Sequence, residues 1–214
     1  MAMMVTVIGD LVASRRAHDR AGLQQALGEA LSEVNATVAT VQPFEPTVGD
    51  EFQGGCASLA DATLATLLVR LFLRSRPDVS PDVSADVRCG IGTGEVTVHD
   101  GSRTPLLQDG PGWWSARDAI EVIGRVRDSR RTWYDGPDAA TTNAFLLCRD
   151  QVVARLNDRG ARMLRLALLG RSQREIADLE DVWPSAVSQQ FARGISTVID
   201  AQRLLAGMPD AANA

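Results

Sequence analysis

Asp10 and Asp50 are the residues whose types and spacing invite chemistry. Asp10 closes the run Met3-Met-Val-Thr-Val-Ile-Gly-Asp10, and Asp50 follows a glycine in Thr47-Val-Gly-Asp-Glu-Phe-Gln-Gly54. Carboxylates brought by two separate elements to one sheet edge can hold Mg2+ through hard oxygen ligands, leaving its other positions for phosphate oxygens and water. The segment from Leu11 onward would add backbone N–H groups and the Ser14 hydroxyl toward a phosphate chain, with Arg15 and Arg16 to neutralise it. A plainer reading fits the same residues: Asp10 caps a turn and Asp50-Glu51 solvates a hairpin. Spacing alone leaves both open.

Composition narrows the chemistry further. All 22 basic side chains are arginine, so a lysine phosphate clamp and Schiff-base chemistry are excluded, and any cationic phosphate contact is a guanidinium. Cys56, Cys89 and Cys148 are odd in number and widely spaced, which fits neither a disulfide framework nor a zinc knuckle and suits a reducing cytoplasm. His18 and His99 have no Ser, Cys or ligand partner nearby in sequence. No apolar run approaches the roughly 18 residues that span a bilayer, and the N-terminus lacks a signal-peptide pattern. The expectation is a soluble cytoplasmic protein with no membrane partner. Residues 1–146 carry 13 Arg against 19 acidic residues, and residues 147–214 carry 9 against 8, a balance that neither demands nor forbids nucleic acid.

These residues need elements to position them. Met3–Ile8 reads as a buried strand ending at Gly9-Asp10, and the three-to-four spacing of Leu23, Leu27, Ala30, Leu31 and Val34 predicts a helix over 20–37. Strands over 38–44 and 52–57 place Asp50 in a hairpin. Ser58 caps a helix over 59–75, and residues 87–98 form a glycine-rich strand that admits a ligand or a backbone closely. A loop at 99–112 and a helix over 113–128 follow. This order predicts an α+β, ferredoxin-like sheet with helices on one face. Gly136-Pro137 marks a break, giving a sheet domain over 1–142 and an all-α domain over 143–214.

Four motifs carry a resemblance. Asp10-Leu-Val-Ala-Ser14 resembles the D-[IL]-x-x-[ST] stretch after the first strand of class III nucleotidyl cyclases, and Val48-Gly-Asp-Glu51 resembles their hairpin "IGDE". Arg88-Cys-Gly-Ile-Gly-Thr-Gly-Glu-Val96 resembles their "R-x-G-I-x-T-G-x-V", and Trp114-Ser-Ala-Arg117 resembles their last helical motif. The layout, with its helical C-terminal addition, looks most like the SatD family, which shares this cyclase-like core. The resemblance implies Asp10 and Asp50 as Mg2+ ligands and Arg117 as a nucleotide contact, beside Leu11, Ser14 and Arg15, which are expected nucleotide contacts from their place after the first strand. Arg117 would stabilise the transition state if the domain were catalytic. The implied ligand is a purine nucleotide: ATP, GTP or a cyclic dinucleotide. Two positions depart from the cyclase pattern. The purine-contacting lysine falls at Pro46 and the ribose-orienting asparagine at Trp113, neither of which supplies the same hydrogen bonds. Trp113-Trp114 suits either base stacking or packing.

In the C-terminal segment, Ser172-Gln-Arg-Glu175 is a capping-box pattern, followed by a short connection and Pro184-Ser-Ala-Val-Ser-Gln-Gln-Phe-Ala-Arg193. The stretch resembles the helix-turn-helix of bacterial transcriptional regulators. Ile176, Ala177, Val187 and Phe191 would then be internal, while Ser185, Ser188, Gln189 and Arg193 would face double-stranded DNA. A capped three-helix bundle yields the same pattern by packing alone. The combined expectation is a homodimeric DNA-binding transcriptional regulator whose degenerate cyclase-like domain senses a nucleotide. An active cyclase using Asp10, Asp50 and Arg117 is the alternative.

Overall fold

The computed structural model describes residues 2–12, 19–76, 85–103, 106–126 and 128–208. Its elements run β1 (Ala2–Val12), α1 (Arg20–Thr37), β2 (Thr40–Pro46), β3 (Glu51–Cys56), α2 (Leu59–Arg74), β4 (Asp86–Asp100), β5 (Leu107–Asp109), α3 (Pro111–Gly124), β6 (Thr132–Asp135) and α4 (Ala139–Arg155). Helices α5 (Asp158–Leu168), α6 (Gln173–Leu179), α7 (Pro184–Gln190) and α8 (Ser196–Leu205) complete it, a π-helical turn at Phe191–Ile195 joining the last two.

The strands form one α+β sheet in the order β2-β3-β1-β4, with antiparallel neighbours throughout that set. Strand β1 is central and buried on both faces: Val5, Val7 and Leu11 enter the core beneath α1 and α2, while Met4 and Ile8 join Trp113, Ala116 and Ile120 on the other side. A doubly covered strand reads as a continuous apolar run, which is how this segment reads. Pairing with β4 carries β1 through Val12, beyond the expected end at Asp10.

Two short strands depart from the expected plan. Segment 107–109, expected as loop, pairs with the far end of β4. Thr132–Asp135, expected as part of an interdomain break, pairs in parallel with Cys89–Gly92 and makes the sheet mixed. Four residues with no alternation leave little sequence signal for such a strand. Helix α3 covers the second face, so helices lie on both sides of the sheet rather than one.

Glycine explains that placement. On β4 the residues facing α3 include Gly90, Gly92 and Gly94, and α3 lies directly on the strand backbone. A methyl group at Gly92 would meet the Gly112 carbonyl oxygen at 2.3 Å and the Ala116 nitrogen at 2.4 Å. Thr6 reinforces the contact, its hydroxyl donating to the Gly112 carbonyl at 2.7 Å. Of the two approaches the glycine-rich run admits, the helix backbone is the one made.

The expected boundary at 142/143 lies inside α4, whose side chains complete the sheet. Asn143 exchanges two hydrogen bonds with the Tyr134 backbone, and the Asp150 carboxylate accepts from the N–H groups of Arg131 and Thr132, both at 2.7 Å. Strand β6 thus has its outer edge satisfied by a helix. Asp150 also accepts from Arg70 and Arg149, and Arg70 reaches Asp86, all of them buried or nearly so. Beyond α4, helices α5 to α8 pack on the back of α2. Leu67 and Leu71 of α2 share a core with Met163, Leu164, Ile176, Val187, Ile195 and Val198. Gln202 donates to the Ala60 carbonyl and the Thr63 hydroxyl, and Arg165 pairs with Glu33. Helix α2 therefore serves two cores at once.

Candidate functional site

The strand register assembles the acidic edge. Asp10 stands opposite Glu51 on β3 and Arg88 on β4, and the Leu11 N–H donates to the Asp50 carbonyl at 3.2 Å. Asp10 and Asp50 thus come from adjacent strand ends, as the sequence led us to expect. Leu11 itself is a core residue with its N–H committed, so its side chain and amide do not present themselves to a ligand. Ser14 and Arg15 lie outside the described residues.

Two arginines occupy this edge. Arg88 grips Asp10 with two hydrogen bonds, Nε to Oδ1 at 2.8 Å and Nη2 to Oδ2 at 2.5 Å. Arg117, carried by α3 to the same edge, makes the equivalent fork with Glu51 at 3.2 and 3.1 Å. The hydrogen bond to Asp10 raises the Arg88 pKa above its ordinary value despite partial burial, with further help from Asp50. Arg117 is raised in the same way, first by Glu51, and also by Glu121 and Asp10. Four carboxylates and two guanidinium groups therefore share one field. Sequence reasoning missed both partnerships, although strand alternation puts Glu51 and Arg88 on the Asp10 face.

Among the described residues no three His, Cys, Asp or Glu side chains are grouped to hold a metal. A cation here has two aspartates, and Asp10 is gripped by Arg88. That donor set fits a metal arriving with phosphate oxygens better than a resident ion.

The two cyclase departures have clear structural roles. Trp113 is 7% exposed and packs with Met4, Ile8, Val96, Ala116 and Ile120, so this indole is core. Trp114 is exposed and donates its indole N–H to Asp109 at 2.7 Å. Pro46 is an exposed ladder residue opposite Phe52.

At the other end of the molecule, Ser172 caps α6 and Glu175 returns the bond to the Ser172 N–H at 2.8 Å. Ile176, Ala177 and Val187 are buried, and Phe191 packs partly against the same core. Ser185, Ser188, Gln189 and Arg193 are exposed, Ser188 donating to Gln173 at 3.1 Å. Glu180, acidic and close to this surface, is nearly buried and held by a fork from Arg162, so it presents little free negative charge. Trp183, ahead of α7, is 81% exposed.

The family model of the SatD family matches residues 4–135, from the first strand through β6. No curated protein matches the chain.

Proposed function

The chain belongs to the SatD family, and from that premise we propose a DNA-binding transcriptional regulator whose cyclase-like, ferredoxin-like sheet domain senses a nucleotide. The observation that carries the reading is the outward polar face of α7, where Ser185, Ser188 and Gln189 are exposed on a helix anchored by buried Val187. The capped α6 packed ahead of it supports reading α7 as the recognition helix of a helix-turn-helix, one that would offer Gln to adenine in a major groove.

The nucleotide end rests on Asp10, Asp50, Glu51, Arg88 and Arg117. The carboxylates at this edge would repel a nucleotide's phosphates, a repulsion that Mg2+ arriving with a purine nucleotide would offset. Asp10 and Asp50 would hold it, and Arg117 would exchange Glu51 for a phosphate. Binding rather than turnover is favoured, because the position that orients ribose in cyclases holds an indole packed in the core. In-line phosphoryl transfer depends on positioning, so its loss removes rate before affinity. Helix α2 belongs to both cores and is the physical link through which ligand at one end would shift α6 and α7 at the other.

Calorimetric titration with ATP, GTP and cyclic dinucleotides, with and without Mg2+, tests the sensor, repeated on Asp10→Ala and Asp50→Ala. Selection of duplexes from a random pool tests the reader, repeated on Gln189→Ala. We expect Mg2+-dependent heat that both aspartate variants abolish, and an enriched motif that the Gln189 variant loses. Cyclic nucleotide released in multiple turnovers would favour the enzyme instead, and failure to enrich any duplex would end the regulator reading.

A further inference from the structure

A cavity of about 280 Å3 lies where α4 ends and α7 passes into the π-helical turn, lined by Val152, Arg155, Leu156, Asn157, Gln190 and Arg193. Two of these are exposed arginines, and neither forms an ion pair among the described residues. None of the lining residues is acidic. Asn157 accepts from the Gly160 N–H through its side-chain oxygen, capping α5 and leaving its amide nitrogen as a further donor.

The backbone is built to close this groove. Gly194 holds φ +138°, a conformation other residues rarely adopt, and a Cβ there would come within 2.9 Å of Val152 Cγ1. The π turn therefore abuts α4 at Val152, and Arg193 shares a cavity with Arg155 from a helix nearly forty residues earlier. Like charges lining one cavity without a counter-charge repel each other, and a bound oxyanion relieves that repulsion with forked hydrogen bonds.

We propose that this groove seats a phosphate of a DNA backbone strand beside α7, with Arg155 and Arg193 as its ligands, so that Arg193 positions the duplex and Gln189 reads it. The proposal rests on the DNA-binding reading and adds to it a residue from α4, outside the two helices of the motif. Phosphate contacts fix register, carry no base information and make affinity fall with salt.

The test is fluorescence anisotropy of the full-length protein on a random-sequence duplex across a salt series. Each neutralised phosphate contributes about 0.9 to the slope of log affinity against log salt, so losing one contact flattens a fourfold salt change by roughly 3.5-fold. Both side chains share one phosphate, so R155Q and R193Q should each flatten the slope by up to about 0.9, the pair by about 0.9 in all, and R155K/R193K should largely restore it. Thermal melting of every variant serves as the folding control, and little change is expected because no ion pair is removed. Duplex binding with an unaltered slope in the double variant would overturn the groove and leave the regulator reading standing. Absence of duplex binding by the wild type, even at low salt, would overturn both.

Discussion

Single residues decide how this sheet is built. The two nearest neighbours of a side chain at Gly92 are backbone atoms of Gly112 and Ala116, which have no rotamer to yield. We expect Gly92→Ala to cost about 3 kcal/mol as overpacking, a fall in Tm of roughly 6 to 12 °C for a chain of this size. A thermal scan checks it, and a near-native Tm would refute the close α3 contact. The cysteines give a second test. Burial, aided by the Asp61 carboxylate, pushes the Cys56 thiol up to about 12, and burial raises Cys89 further. Cys148 is exposed. A thiol reagent at mildly alkaline pH should label Cys148 alone in the folded protein and all three cysteines in denaturant. Linkage fixes the sign of the pH effect. Unfolded thiols ionise near 8.5 while the buried pair stay protonated, so raising the pH above that point favours the unfolded state. The urea midpoint should fall steadily from about pH 8.5 upward, and an unchanged midpoint to pH 10 would contradict the burial.

Elements show what a sequence announces and what it withholds. Helices α1, α2 and α6 were legible from apolar spacing and from Ser58 and Ser172, because a cap and its periodic face are local properties. The placement of Asp10 and Asp50 at neighbouring strand ends was legible as well, since each ends or precedes a β-like run. Strand β6 was not, because Thr132–Asp135 is a strand only by virtue of β4 on one edge and α4 side chains on the other. The Arg88 and Arg117 forks were equally hidden, as the first depends on the register of β1 with β4 and the second on where α3 meets the start of β3. Asp150 carries the α4 to β6 connection, and its partners Arg149 and Arg70 are buried cations. Asp150→Asn leaves them undercompensated. We expect a loss of about 3 to 5 kcal/mol, read as a fall in Tm of roughly 10 °C, with the β6 amides losing hydrogen-exchange protection first. A stable variant with β6 protected would show that the carboxylate charge is dispensable.

At the scale of the whole molecule, the two expected functional ends share one structural member. Leu68, Val69 and Leu73 of α2 face the sheet core, while Leu67 and Leu71 face the C-terminal core. Arg74 adds a polar tie, donating to the carbonyls of Val153 and Leu156 at the end of α4. Unfolding should therefore be a single cooperative event, with calorimetric and van't Hoff enthalpies in agreement. Two resolved transitions would show the C-terminal helices to be an independent domain. A fragment ending at residue 142 should expose the outer leucines of α2 and bind a hydrophobic dye that the full chain excludes, and a dye-silent, monomeric fragment would argue the reverse.

The position of α2 has a further consequence, for evolution. Ten of its sixteen residues are buried, from Ala62 to Leu73. A helix hemmed in on both sides has little neutral surface on which to accept substitutions, so tolerated changes should collect at its first turn and avoid the middle. Lineages that lost the C-terminal helices would have to repolarise one whole side of α2, several substitutions that are each harmful until the rest are made. That barrier would keep the two halves inherited together even where only one of them is still under selection.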